Sequence, residues 1–184
     1  MHTKQYDEAM ILHQETTTQK TYSKQPGFVR EAWTVYGAYL HILRQAGKLR
    51  ETENTKRAFR IQRYLNEVPT FSRDKRGHNV TVIISQVVLM LQRGNFDGLI
   101  DRFEAINKYR ERYVSREVNF RSNVFLHMLR EVNRHGFVKA DVLATTADLR
   151  PLLDQEPVDV ISPGYDQEVL PYEDVWELLL ACLE

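Results

Sequence analysis

The amino-acid sequence predicts an all-α protein made of about three stacked helical hairpins and a C-terminal capping helix. Apolar residues recur at steps of three and four through most of the chain, which is the spacing of one helical face. At three places an apolar helical stretch is followed by a basic or amide residue and then by a glycine, which is Gly47, Gly94 or Gly136. These glycines lie 47 and 42 residues apart, a period typical of two-helix repeats. An irregular helical bundle with ordinary glycine caps is the alternative.

Each of these glycines is predicted to end a helix. Glycine adopts the left-handed conformation that closes a last helical turn at little steric cost. Arg44, Arg93 and Arg134 precede the three glycines by at most three residues, and a basic side chain there suits the negative end of the helix dipole. A single hairpin cannot bury both of its faces, so hairpins of this kind stack on their neighbours.

Composition and charge exclude several classes of protein. Among 184 residues, 25 basic side chains balance 25 acidic ones, which argues against a protein built mainly to bind nucleic acid but leaves a local basic patch possible. Cys182 is the only cysteine, so neither an intramolecular disulfide nor a cysteine zinc cluster is expected, and a reducing, cytoplasmic setting fits. No apolar run resembles a signal peptide or a membrane span. The chain could still be a fragment of a longer protein.

The N-terminal region, residues 1–27, is expected to hold a short helix over 3–15 and then a polar stretch. That stretch, Thr16–Gly27, is predicted to be a loop or a mobile linker because it is rich in Thr, Lys and Gln and ends in Pro-Gly. The three hairpins are expected to occupy residues 28–153, and a loop with a capping helix the remaining residues, 154–184.

The first hairpin is predicted to pair a helix over 28–46 with a second helix from Leu49 to Asn66. The second helix has a polar first half and could become helical only near Thr55. Pro69 is expected to end it, since the residue before a proline is pushed toward extended backbone.

The second hairpin begins with the run 80–91, which is β-branched and resembles a strand. Its length, the candidate cap Asn79 and the stop at Gly94 favour a buried helix instead. Because the run is apolar on nearly every side, it is expected in the middle of the stack. Its partner helix is predicted over Phe96–Val114.

The third hairpin is expected to open at the cap residue Ser115, and its second helix, 137–153, to be broken near Thr145–Thr146. Prolines and β-branched residues over 154–171 predict an irregular loop. A last helix over Tyr172–Leu183 is predicted to pack back on the third hairpin through Trp176, which would cover the open end of the stack.

One helix resembles a known repeat. Trp33, Tyr36, Gly37 and Leu40 are similar to the first helix of a tetratricopeptide repeat, in which Trp is followed by two residues, Leu-Gly, two more residues and Tyr. The resemblance covers this helix alone, since the aligned hairpins carry Ile84 and Leu126 at the glycine position. A degenerate tetratricopeptide-like protein implies a right-handed superhelix of hairpins that binds a protein partner. It also implies that the second helix of the pair approaches closely at Gly37.

The candidate partner-binding residues come from aligning the hairpins on their glycines. The first helices then carry small or polar residues on one inner face, which would suit a groove for a peptide. The candidates on this face are His41, Ser85, Asn123, His127 and Arg130. Polar residues scattered over exposed helix faces are the simpler interpretation. No two histidines have the spacing of a helical metal site, and no metal or cofactor is predicted.

The stretch 102–121, basic with interleaved aromatic residues, is the nearest approach to a nucleic-acid signal. Acidic residues interrupt it, and helical spacing divides its cations between faces, so a solvated face explains it more simply. Arg and Tyr are also enriched at protein interfaces. Arg110, Arg112 and Arg116 therefore complete the candidate set.

Catalytic motifs are missing from the sequence. There is no Gly-rich phosphate loop, no His-Glu-x-x-His and no Gly-x-Ser-x-Gly elbow, and Cys182 is expected to be a small buried apolar residue. An enzyme would need a pocket in which two histidines or carboxylates converge. We therefore expect a non-catalytic helical-repeat scaffold that binds an unidentified protein or peptide and no membrane. Nucleic-acid binding through 102–121 is the alternative, and a second copy of the chain could cover the apolar run 80–91.

Overall fold

The computed structural model describes residues 1–50, 59–67, 78–113, 120–158 and 168–184, without the side chains of 67, 78, 79, 97, 105 and 108–113. Within these ranges the regular structure is entirely helical, which confirms the predicted class. The α-helices are α1 (Tyr6–Thr18), α2 (Gly27–Gln45), α3 (Ile61–Glu67), α4 (His78–Gln92), α5 (Phe96–Tyr113), α6 (Phe120–Arg134), α7 (Lys139–Thr146) and α8 (Tyr172–Leu180). Two short 3-10 helices occupy Tyr22–Lys24 and Arg150–Gln155.

The chain divides into two units, Met1–Asp74 and Lys75–Glu184, called here the first and second unit. In the first unit, α2 packs against both α1 and α3. In the second unit, the helices α4 to α7 each pack against the next along the chain, while α8 packs against α4 and against Arg150–Gln155. The boundary between the units falls between the first and second predicted hairpins.

The three helix-ending glycines share one backbone geometry. Gly47, Gly94 and Gly136 have φ of 68°, 64° and 60°, the left-handed conformation that favours glycine. At each, the amide that follows the glycine donates to the carbonyl five residues earlier, the bond that defines a Schellman cap. The three N···O pairs are Lys48–Leu43 at 2.9 Å, Asn95–Met90 at 3.0 Å and Phe137–Val132 at 3.1 Å. The predicted helix stops are therefore confirmed.

The β-branched run 80–91 is a buried helix, as predicted. Every side chain from Val80 to Leu91 is buried except that of Ile83, which is half-buried. The proposed cap was wrong, because α4 already includes His78 and Asn79. This helix is buried on nearly every side and packs against α5 and α8, so tertiary packing outweighs the strand preference of valine and isoleucine.

Other boundaries differ from those predicted. The N-terminal helix begins and ends three residues later than expected, and the polar stretch Thr16–Gly27 contains its last turn, a 3-10 helix and the start of α2. The second helix of the first hairpin is short, since Phe59 and Arg60 are not helical and α3 begins at Ile61. Residues 51–58, Pro69 and Ser115 lie outside the described residues.

The C-terminal part follows the prediction closely. The helix expected over 137–153 is indeed two pieces, α7 and the 3-10 helix that contains Pro151. In α8, Trp176 meets Phe125 of α6 edge-on with ring centroids 6.3 Å apart, and Tyr172 stacks on the same ring at 4.6 Å. The expectation that Trp176 packs back on the third hairpin is confirmed. No helix in the described ranges combines the length and apolar character needed to cross a membrane.

Candidate partner-binding surface

One side of α6 carries a row of polar side chains. Asn123, His127, Arg130 and Arg134 follow one another at steps of four, three and four residues, which places them on one face. The other sides of the helix are buried through apolar residues such as Phe125 and Leu129. The three candidates that lie on α6, Asn123, His127 and Arg130, are thus brought together. We call this face, together with Glu131 and His135, the α6 polar row.

A buried carboxylate lies at the centre of the row. The Glu131 side chain is only 7% exposed, and its Oε1 lies 3.2 Å from Arg130 Nη2 and 3.8 Å from His127 Nε2. Its Oε2 lies 3.5 Å from His135 Nε2 and 3.8 Å from Arg134 Nη1. A buried carboxylate is costly unless cations and donors compensate it, and this one has both. Glu131 therefore accepts a hydrogen bond from Arg130 and lies within 4 Å of basic side chains on both sides along the helix.

The outer members of the row remain accessible. The Arg134 side chain is 71% exposed, and those of His127 and Arg130 are about half as exposed. Arg130 Nη2 donates to His127 Nε2 at 2.7 Å, and since arginine has no acceptor, His127 must accept and be neutral in this arrangement. Two guanidinium groups against one carboxylate leave the row with an excess of positive charge. It can therefore bind an acidic group.

Glu131 and His135 were not among the sequence candidates. The signal was present, because His127 and His135 lie four residues before and after Glu131, and Arg134 lies three residues after it. Such spacings bring side chains together on a helix. Spacing within one helix therefore predicts this group, whereas alignment of one hairpin with another does not.

The remaining candidates do not join this row. Ser85 is fully buried in α4, and its hydroxyl donates to the Val82 carbonyl at 2.8 Å, so it offers nothing to a partner at the surface. The expectation that Ser85 lies on an inner face open to a peptide is therefore wrong. His41 is buried in the first unit. Arg116 lies outside the described residues, as do the side chains of Arg110 and Arg112.

The last arginine of the basic stretch 102–121 is not solvated. The Arg121 side chain is 4% exposed; its Nε donates to Glu168 Oε1 at 2.6 Å, and its Nη2 donates to Glu168 Oε2 at 3.0 Å and to Glu173 Oε2 at 2.8 Å. Its Nη1 donates to the carbonyls of Leu153 and Glu156. The interpretation of a wholly solvated basic face is wrong for Arg121.

Electrostatics explain why Arg121 stays charged inside the second unit. Burial by itself lowers the pKa of a guanidinium, but the hydrogen bonds and negative charges of Glu168 and Glu173 outweigh burial and raise the pKa of Arg121 above its ordinary value. Glu168 Oε2 also accepts the amide of Tyr172 at 3.0 Å, so the cluster ties α6 to the start of α8. It is a structural connection and is not accessible to a partner.

Few side chains that could bind a metal ion or act as a nucleophile come together in the described part of the chain. No group of three His, Cys, Asp or Glu there could hold a metal ion. Cys182 is half-buried, and burial raises the pKa of its thiol, which disfavours the reactive thiolate. The pocket with two histidines that an enzyme would need has one counterpart in the described residues, since His13 and His41 both line a cavity of the first unit.

The closest packing at Gly37 comes from α1. A Cβ at Gly37 would lie 2.9 Å from His13 Nε2 and 3.4 Å from Phe59 Cε2. The expectation of a close approach at Gly37 therefore holds, but the nearest neighbour is His13 of α1 and not the second helix of the hairpin. His13 Nε2 donates to the Trp33 carbonyl at 2.9 Å, which fixes the imidazole between the two helices.

His13 should make the stability of the first unit depend on pH. Burial, only partly offset by the bond to Trp33, lowers the pKa of His13 below its ordinary value of 6.5. Below pH 6.5 the unfolded chain binds a proton that the folded unit resists, so stability is fully present above 6.5 and falls as the pH drops toward the folded pKa. We expect His13→Gln to reduce the loss of unfolding free energy between about pH 7.5 and about pH 5.5.

Urea unfolding read by Trp33 fluorescence in a Trp176→Phe background would measure this. The glutamine keeps an N–H donor for the Trp33 carbonyl and does not titrate. If the unfolding free energy of the unchanged chain and of His13→Gln fell equally with decreasing pH, another group would control the loss of stability in acid.

No protein-family model, no curated protein and no solved structure matches the chain significantly.

Proposed function

We propose that the chain is a non-catalytic, all-α interaction module whose α6 polar row binds an acidic segment of a partner protein. The observation that supports this most directly is the set of basic side chains held around the buried carboxylate of Glu131. Arginine binds carboxylates through paired N–H donors and is enriched in protein interfaces. Side chains already held in place lose less entropy on binding.

Stacked hairpins are part of the proposal. Three Schellman caps of the same geometry, at Gly47, Gly94 and Gly136, support a repeated unit. The packing of α4, α5, α6 and α7 in chain order also fits hairpins that stack on their neighbours. A tetratricopeptide-like superhelix would present one helix of each hairpin to a partner, and in the proposed arrangement α6 would be that helix of the third hairpin.

The size and charge of the row favour a peptide over nucleic acid. From Asn123 to Arg134 it is about 17 Å long, the span of a few residues of extended peptide. Its two arginines are partly neutralised by Glu131, whereas nucleic-acid surfaces usually carry a clear basic excess. The buried position of Arg121 removes one cation from the stretch 102–121 on which the nucleic-acid alternative relied.

Selection of short random peptides displayed on phage tests the proposal. Peptides rich in Asp and Glu are expected to be enriched on the chain. The best of them should bind Arg130→Gln/Arg134→Gln at least roughly tenfold more weakly, because each hydrogen bond between charged groups is worth about 1.5–3 kcal/mol. Fluorescence anisotropy of the labelled peptides measures this.

Arg30→Gln/Arg93→Gln is the matched control, since it also removes two arginines, both exposed and outside the α6 polar row. It should bind like the unchanged chain. Enrichment of peptides without acidic residues, or equal binding by the double variant, would reject the α6 polar row as the site. A labelled RNA that binds more tightly than any peptide, and releases with added salt, would support the nucleic-acid alternative instead.

A further inference from the structure

The first unit contains a cavity of about 320 Å³ whose lining comes from α1, α2 and the residues just before α3. This volume is at the small end of the range for ligand sites. The described lining residues include two imidazoles, two guanidinium groups and polar residues of α1, and none of them is acidic. The cavity is therefore positively charged where the described residues face it.

The cationic part of the lining is partly preorganised. Arg44 Nη2 donates to His41 Nδ1 at 3.1 Å. His41 must accept this bond, so its imidazole is neutral and carries its proton on Nε2. Arg60, the second guanidinium, is exposed to solvent. Arginines pair readily with carboxylate and phosphate groups, because their N–H donors match the spacing of the anionic oxygens.

The apolar part of the cavity lining comes from Phe59, Leu40 and Met10. The Phe59 ring stacks on His41 with centroids 5.4 Å apart and planes 28° apart, and Leu40 is almost completely buried. A stacked aromatic pair offers a flat apolar wall. One cavity thus combines a wall for a planar apolar body with guanidinium groups for an anion.

Gly37 keeps this cavity open in its present shape. A Cβ there would lie only 2.9 Å from His13 Nε2, so a side chain at this position would push against His13, which lines the cavity. The bond from His13 to the Trp33 carbonyl limits how far His13 can yield. The walls are thus set by contacts within the first unit.

We propose that this cavity binds a small organic anion, with a carboxylate or phosphate on a flat apolar body. The cavity binds this anion and catalyses no reaction on it. His13 uses Nε2 for the Trp33 carbonyl and His41 uses Nδ1 for Arg44, so one nitrogen of each ring already serves the fold. The anion meets the guanidinium groups of Arg44 and Arg60, and the apolar body lies against Phe59.

Binding of four simple probes tests this inference. Benzoate and phenyl phosphate carry both features, inorganic phosphate carries only the charge, and benzamide only the flat ring. In calorimetric or NMR titrations, benzoate or phenyl phosphate should bind at least roughly tenfold more tightly than benzamide and inorganic phosphate, because both halves of the cavity are used. Amide shifts should change at His13, Gly37 and His41.

The variant Arg44→Gln/Arg60→Gln should weaken binding of the anionic probe at least roughly tenfold. Arg60→Gln alone, at an exposed position, tests the charge if the double variant is poorly folded. Arg30→Gln/Arg93→Gln changes the same number of arginines, both exposed and outside the cavity and the α6 polar row, and should leave probe binding unaltered. The cavity and the α6 polar row lie in different units, so the two proposals fail independently. Equal binding of benzamide and benzoate, shifts confined to the second unit, or no saturation by millimolar benzoate and phenyl phosphate would overturn the inference.

Discussion

Arg121→Met is expected to lower the unfolding free energy of the second unit by about 3–5 kcal/mol. The methionine fills similar space, but the Glu168 carboxylate, only 3% exposed, loses its cation and two hydrogen bonds. The carbonyls of Leu153 and Glu156 lose a donor as well. Since small domains are stable by about 5–15 kcal/mol, this loss would be a large fraction of the total. Urea unfolding followed by Trp176 fluorescence in a Trp33→Phe background measures it.

Arg150→Met is the matched control for this substitution. Arg150 pairs with Asp154 at 3.2 Å on the surface, and exposed pairs of this kind contribute between about zero and 1 kcal/mol. Adding Glu168→Met to Arg121→Met should recover part of the stability, because an apolar pair replaces an isolated buried charge. If Arg121→Met lowered the unfolding free energy no more than Arg150→Met does, the cluster of Arg121, Glu168 and Glu173 would contribute little to stability.

Trp176→Ala is expected to cost the second unit about 3–5 kcal/mol, the usual range for removing a large buried aromatic side chain. Trp176 is 2% exposed and meets the edge of Phe125, whose other contacts include the stacked ring of Tyr172. The substitution opens a void between α8 and α6 that the surrounding helices can only partly fill. Hydrogen exchange of the α6 and α8 amides measures the effect without relying on tryptophan emission.

Phe120→Ala provides the comparison for Trp176→Ala. Phe120 begins α6 but is exposed, so its removal should change the opening free energy measured by hydrogen exchange by less than about 1 kcal/mol. Faster exchange confined to α8 in Trp176→Ala would mean that α8 detaches while α6 stays folded. Such a result would contradict a shared core between the two helices.

The features that the sequence predicts correctly are local ones. A left-handed glycine after a basic helix end depends on a few neighbouring residues, and all three glycines adopt it. The buried helix over 80–91 and the break near Thr145 follow from length, apolar pattern and proline position. The glycine alignment puts Asn123, His127 and Arg130 on one face, and the spacing of these residues along α6 also brings them together.

The features that the sequence does not predict depend on distant partners. Arg121 meets Glu168 and Glu173, which lie 47 and 52 residues further along the chain. Nothing near Arg121 distinguishes it from a solvated arginine until those partners are known. Ser85 was placed in a groove by alignment, but a helix buried around its circumference exposes no inner face. The cavity beside His13 likewise needs the packing of α1 on α2.

The Arg121 cluster has a consequence for the order in which the chain becomes stable during synthesis. Glu168 and Glu173 are translated 47 and 52 residues after Arg121. The α6 helix therefore leaves the ribosome before either carboxylate can compensate the charge of Arg121. Nascent domains fold as units once their contacts are available, at about 5–20 residues per second of translation. The second unit should therefore gain its final stability only after α8 has emerged, while the first unit can already be folded.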